Sequence, residues 1–270
     1  MFPIKEFKIF ILHLLSNQKL IATLIKNNFK KQYLGSYLGL FWAFVQPLTF
    51  IFVIWFVFDI GFRTAPVSGE TPFFLWLISG MIPWFFFSEG FIRATNAIVD
   101  NDFLVKKVAF RVSILPLVAI GSELIVHSIL VLFLIIAFLS YSYFPTLYWL
   151  QLFYYIFASI ILLLGLSWLT SSIRVFVKDT GAFITIIIQI GFWATPIFWQ
   201  LNMVPDKYQY LFKLNPMFYI INGFRDTFIN QIWFWEKPYE TFYFLIITFF
   251  ILLSGALVFK KLRPHFGDVL

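Results

Sequence analysis

LGLFWAFVQPLTFIFVIWFVF, residues 38–58, runs 21 positions without an ionisable side chain. As a helix it rises about 30 Å, the thickness of a bilayer's hydrocarbon core. Such a run partitions into lipid as a helix, because only internally closed backbone hydrogen bonds satisfy its amides there. The first span is read as 38–60, and five more apolar stretches follow at 71–87, 112–139, 147–173, 180–199 and 242–259. The predicted fold is all-α and integral to the membrane: one domain over 1–270 with six transmembrane helices. Its function is expected to be traffic across that membrane.

Composition narrows the chemistry. The chain is 61% hydrophobic and 12% charged, against about 25% charged in typical soluble domains. Its 39 Phe, 12 Tyr and 10 Trp exceed what interfacial anchoring of six helices needs. Cysteine is absent, which excludes disulfides, thiolate nucleophiles and cysteine metal sites. His13, His127 and His265 stand singly, without zinc-ligand spacing. No Gly-x4-Gly-Lys-Ser/Thr occurs, so no phosphate-cradling loop of that kind is present. No cofactor is expected on this chain, and any ATP and Mg would be held by another polypeptide.

Basic residues orient the spans, since cytoplasmic loops retain Lys and Arg. With both termini inside, 15 of the 20 basic residues fall on the inner side and five, Arg63, Lys207, Lys213, Arg225 and Lys237, on the outer. The net charge of +7 therefore reads as topology and gives no nucleic-acid footprint. Residues 1–36 carry no secretory signal, because 9–15 is short, contains His13 and precedes no small-residue cleavage site. On a helical wheel Lys5, Lys8, Lys19, Lys26 and Lys30 share a stripe of roughly 60°. That pattern suits an amphipathic helix in the headgroup plane, its lysines toward anionic membrane lipids or a partner.

The outer segment 200–240 contains Pro205, Pro216 and Pro238, yet 214–235 is largely apolar and aromatic. Re-entrant half-helices between spans 5 and 6 fit this pattern; an outer cap packed on the helix ends is the other reading.

Glu123 and His127 lie deep in the third span at i, i+4 spacing, on one helix face. They would be the relay of a proton-coupled carrier, or a neutral positioning pair. Asp100 and Asp102 form a D-x-D pair, which would hold a divalent ion in a membrane glycosyltransferase. Alternatively, Asp102 or Asn101 caps a short helix from Phe103 that carries Lys106 and Lys107. Aromatic rings cluster at Trp84, Phe85, Phe86 and Phe87, read as the inner end of the second span, and at Trp193, Phe198, Trp199 and Tyr219. They are either an interfacial belt or the lining of a sugar path.

Several segments, in order, resemble the permeases of polysaccharide-export ABC transporters: KQYLGSYLGLFW at 31–42 with Pro47, GMIPWFFF at 80–87, and LVKK at 104–107 running to Leu115-Pro116. Pro196, Leu214-Asn215-Pro216 and Arg225 continue the pattern, and the tail FKKLRPHFGDVL at 259–270 is similar to that of O-antigen-like exporters. The resemblance implies a homodimer, paired with two copies of an ATP-binding cassette ATPase. It would move lipid-linked polysaccharide (O antigen, capsule or teichoic acid) out across the bacterial inner membrane. Asn96, Val99, Asp102, Leu104, Lys106 and Lys107 would then couple to the ATPase. Lys30, Lys31, Arg93 and Arg111 would attract the lipid diphosphate. Trp84, Phe85, Phe86, Trp193, Phe198, Trp199, Tyr219 and Arg225 would line the polymer path.

The topology is tested with single cysteines. Lys107→Cys and Lys261→Cys are expected to react with a membrane-impermeant thiol reagent only from the cytoplasmic side, and Lys207→Cys only from outside. Labelling of Lys107→Cys in intact cells reverses the orientation.

Overall fold

A computed structural model describes residue 12 and residues 16–33, 39–62, 71–106 and 111–270. Lys5, Lys8, Arg63 and Lys107 lie outside the described residues, as do 34–38 of the quoted 31–42 motif.

The described chain is helical throughout. The helices are α1 (Gln18–Tyr33), α2 (Gly39–Trp55, continued as a π turn over Phe56–Gly61), α3 (Phe73–Asn96) and the short α4 (Asp102–Val105). Then come α5 (Leu115–Ser140), α6 (Leu152–Phe176), α7 (Thr180–Ala194), α8 (Asp206–Lys213), α9 (Pro216–Arg225), α10 (Pro238–Leu262) and α11 (Phe266–Val269). Five segments are long and apolar enough to cross a bilayer: Phe41–Gly61, Phe73–Asn96, Val112–Ser140, Leu147–Phe176 and Pro238–Val269. The sixth expected span is shorter. Its helix α7 has 15 residues, a rise of about 22 Å, and gives way to irregular chain from Thr195 to Trp199.

α3 is the axis of the bundle. Of its most apolar stretch 83% is buried, against 11% for the α2 segment and 22% for the α10 segment. It packs on α5, α6, α9, α7 and α2. A helix surrounded by protein on all sides is apolar all round, and Leu75, Leu77, Ile78, Met81 and Ile82 are fully enclosed. The expected end at residue 87 is overrun by nine residues, because Glu89 and Arg93 do not stop the helix. Their side chains pair one turn apart, Arg93 Nη2 lying 3.5 Å from Glu89 Oε2. Trp84 to Phe87 therefore sit inside α3 rather than at its end.

α6 and α10 form another tight contact. A Cβ on Gly165 would stand 2.8 Å from the Leu252 backbone, and one on Gly255 would collide with the Gly165 carbonyl. Glycine at both positions lets the two backbones touch, as small residues do between helices in lipid. The 200–240 segment holds two helices, of which α9 is buried between α3, α6 and α10. Asn215 starts α9 by accepting the Met217 N–H at 3.0 Å, with Pro216 at the first helical position.

Gly255→Ala is expected to force α6 and α10 apart, at a cost of about 1–3 kcal/mol. Thermal unfolding in detergent should show a lowered midpoint, while Gly267→Ala, with open space around it, leaves the midpoint unchanged.

Candidate functional site

Between α1, α2, α3, α5 and α7 lies a cavity of about 1120 Å³. Its wall is aromatic: Trp42 and Phe50 from α2, Trp84, Phe85 and Phe86 from α3, and Phe192 and Trp193 from α7 all face it. The rings pack edge to face or tilted. Phe50 sits 6.1 Å from Phe85 and 5.5 Å from Phe192, and Trp84 sits 6.0 Å from Phe192. Gly191 makes room for this wall, since a Cβ there would stand 3.0 Å from the Trp84 ring.

One end of the cavity is polar, and three helices meet there on one atom. Glu123 Oε1 of α5 lies 2.8 Å from Arg93 Nε of α3 and accepts a hydrogen bond from Gln32 Nε2 of α1 at 2.7 Å. Tyr33 holds its ring 5.8 Å from the Arg93 guanidinium. Burial and then the Glu123 charge push the Tyr33 phenol up to about 12, so it stays neutral at physiological pH. One turn before Gln32, Asn28 Nδ2 of α1 donates to Oγ of Ser122, the residue preceding Glu123, at 2.9 Å. α1 is thus docked on α5 through its polar side chains, while Lys19, Lys26, Lys30 and Lys31 stay exposed.

His127 is not bonded to Glu123. Its ring stacks on Phe86 at 4.6 Å, with Phe224 at 6.0 Å. The i, i+4 pair read from sequence shares a face and a cavity but forms no relay; the partners of Glu123 are Arg93 and Gln32.

The aromatic residues grouped in the sequence divide between two places. Trp84, Phe85, Phe86 and Trp193 line the cavity, whereas Phe198, Trp199, Tyr219 and Arg225 do not. Phe198 is buried against Phe192, Trp193 and Phe58. Trp199 donates its indole N–H to the Trp193 carbonyl at 3.1 Å. The Tyr219 hydroxyl lies 3.0 Å from both Tyr154 and Thr241, and its ring stacks on Phe244. Arg225, 5% exposed, donates to the carbonyls of Pro196 at 2.8 Å and Ile197 at 2.7 Å. Its guanidinium lies 3.6 Å from the Trp76 ring centre, over the face. Arg225 therefore clamps α9 and the chain after α7 onto α3.

On the inner loop, Asn96 Oδ1 accepts from Arg174 Nε at 3.1 Å. Asn101 precedes α4 without capping it, its amide instead donating to the Ala97 carbonyl, and Asp102 opens the helix with its carboxylate accepting the Phe103 N–H at 2.7 Å. Val99 and Leu104 pack partly on the core. Phe103 is the more outward ring at 54% exposed, and Lys106 closes α4. Burial raises the Asp100 carboxyl, opposed by Lys31, Arg174 and Arg93. Asp100 thus has cations rather than further acids around it, and no cluster of metal-ligating side chains occurs among the described residues. Lys31, Arg174 and Arg93 all act on the Asp100 carboxyl; Lys30 is exposed and Arg111 half-buried.

Sequence reasoning missed Gln32, Asn28, Ser122, Glu89 and Arg174. The i, i+4 spacing of Glu89 and Arg93 was the one local signal available.

A multi-pass helical membrane protein with an aromatic cavity ending in charged groups has an architecture suited to a transport permease. The chain belongs to the ABC-2 type transporter family, whose pattern matches residues 19–229. It is 30% identical over 254 residues to an O-antigen export system permease protein RfbA of Klebsiella pneumoniae, covering 93% of this chain and 95% of that one. An RfbA of Myxococcus xanthus is 22% identical over 251 residues, covering 92% and 94%. The polysialic acid transport protein KpsM of Escherichia coli is 24% identical over 192 residues, covering 70% and 73%.

Arg225→Ala would orphan two buried carbonyls, each worth about 1–3 kcal/mol. The folded yield and thermal midpoint are expected to fall clearly, with Arg225→Lys recovering only part, because one ammonium cannot reproduce the fork over Trp76.

Proposed function

We propose that this chain is the permease subunit of an ATP-driven exporter of lipid-linked polysaccharide of the O-antigen class. Two copies work with two ATPase subunits in the bacterial inner membrane, both termini cytoplasmic. The cavity carries the reading: a polymer must slide past many sugar units, and ring faces offer numerous weak contacts without a fixed hydrogen-bond pattern. Likeness to O-antigen export permeases over 93% of the chain supports the substrate class.

In this reading α7 and the irregular chain to Trp199 make the sixth span, and α8 and α9 re-enter the outer leaflet, where the burial of α9 satisfies its backbone. Lys30, Lys31, Arg93 and Arg111 draw the lipid diphosphate to the inner mouth. The inner loop (Asn96, Val99, Asp102, Leu104, Lys106 and Lys107, with Phe103 outward) meets the ATPase. Its closure on ATP biases two arrangements of the permease pair. A proton relay through Glu123 and His127 lacks support, since no hydrogen bond joins them.

The test combines copurification with the ATPase and surface polysaccharide measured per folded transporter. Phe85→Ala with Trp193→Ala should lower export about tenfold, equivalent to roughly 1.4 kcal/mol of lost ring contact, leaving assembly and basal ATP hydrolysis intact. An unchanged ratio would make these rings membrane anchors only.

A further inference from the structure

Glu123 presents a single oxygen to two other helices. Arg93 reaches Oε1 from α3 at 2.8 Å and Gln32 reaches the same atom from α1 at 2.7 Å. The carboxylate is 3% exposed, whereas the Arg93 side chain is 36% exposed and borders the cavity. Of the two, the cation is therefore the more open to a ligand, although Glu123 also borders the cavity.

Arg93 is also poorly matched to its present partners. Its Nε–H has no aligned acceptor despite the short contact with Glu123, and Glu89 stands off at 3.5 Å. A guanidinium is bound best by two parallel N–H···O bonds, and phosphate offers that geometry with more charge than one carboxylate. A diphosphate in the cavity would compete for Arg93 against two carboxylates, Glu89 and Glu123, which also line it.

Once Arg93 is withdrawn, Glu123 is a buried carboxylate without its cation, which is costly. Turning toward cavity water relieves that cost, and the turn removes the acceptor that holds Gln32. α1 then keeps the Asn28–Ser122 hydrogen bond, the bond from Ser122 Oγ to the Ile25 carbonyl at 3.2 Å and the packing of Ile25 over Gly121 as ties to α5. Lys31, near the end of the same helix, is close enough to act on the Asp100 carboxyl of the inner loop, so a shift of α1 reaches that loop.

We propose that the Arg93–Glu123–Gln32 cluster is a latch opened by substrate: a diphosphate anion takes Arg93 from Glu123 and frees α1 from α5. The proposal rests on the lipid-linked reading above and adds how an occupied cavity would be sensed.

The absence of native cysteine makes the test direct. Asn28→Cys with Ser122→Cys is introduced, and the transporter with its ATPase is placed in nanodiscs. The rate of joining by a short bis-thiol reagent is then followed with labelled polyprenyl diphosphate, inorganic pyrophosphate or neutral polyprenol. Polyprenyl diphosphate is expected to slow joining about fivefold or more, and polyprenol to leave it unchanged. A response to pyrophosphate alone supports the latch and assigns it to a free anion instead of a lipid headgroup. Glu123→Gln should join slowly with or without ligand, and Arg93→Lys should join normally but respond weakly. Ile25→Cys with Gly121→Cys repeats the measurement should the first pair not fold. Bound polyprenyl diphosphate with unchanged joining at a folded pair overturns the latch and leaves the lipid-linked reading standing. No binding of polyprenyl diphosphate or pyrophosphate overturns both.

Discussion

Inside a bilayer a polar atom has no water to turn to, so each buried charge or carbonyl needs a partner within the protein. In this chain that constraint acts through two arginines placed toward opposite ends of α3. On the Trp76 side, Arg225 lies over the ring and holds the carbonyls of Pro196 and Ile197. The site has room because Gly80 carries no Cβ, which would stand 2.8 Å from Arg225 Nη2. Toward the other end Arg93, on α3 itself, meets Glu123 of α5. A buried charge contributes only when its geometry is good, and the two sites differ in this. Arg225 donates two hydrogen bonds to carbonyls in an enclosed place and acts as a fastener; Arg93 makes a short but unaligned contact with Glu123 beside a cavity.

The same division runs through the aromatic residues. Those around α9 and the segment after it are locked by polar groups as well as by stacking. Tyr154 lies 4.0 Å from Phe234 ring to ring, and its hydroxyl meets Tyr219, which meets Thr241. Gln151 adds two bonds to that segment, donating to the Ile232 carbonyl and accepting from the Phe234 N–H. Cavity rings such as Phe85 and Trp193 lack such polar ties and present open faces.

Much of the fold was legible in the sequence because the length of an apolar run is local information. The third and fourth expected spans match helices Val112–Ser140 and Leu147–Phe176 closely. Errors came where a local rule met a distant partner. Glu89 and Arg93 look like the edge of the membrane, yet Arg93 pairs with both Glu89 and Glu123, and α3 continues to Asn96. Arg225 looks like an exposed loop cation, yet its acceptors lie 28 and 29 residues earlier in the chain.

The sequence by itself determined that the chain is helical, multi-pass and free of thiol chemistry, because hydropathy and residue type need no folding to be read. Its motifs also pointed to the right family. Only the tertiary structure decided that Glu123 answers to Arg93 and to Gln32, 91 residues away, and not to His127 one turn away. It likewise decided that four of the eight aromatic and basic residues expected along a path line the cavity. Helical spacing shows which residues share a face, but what that face meets depends on which helices pack beside it.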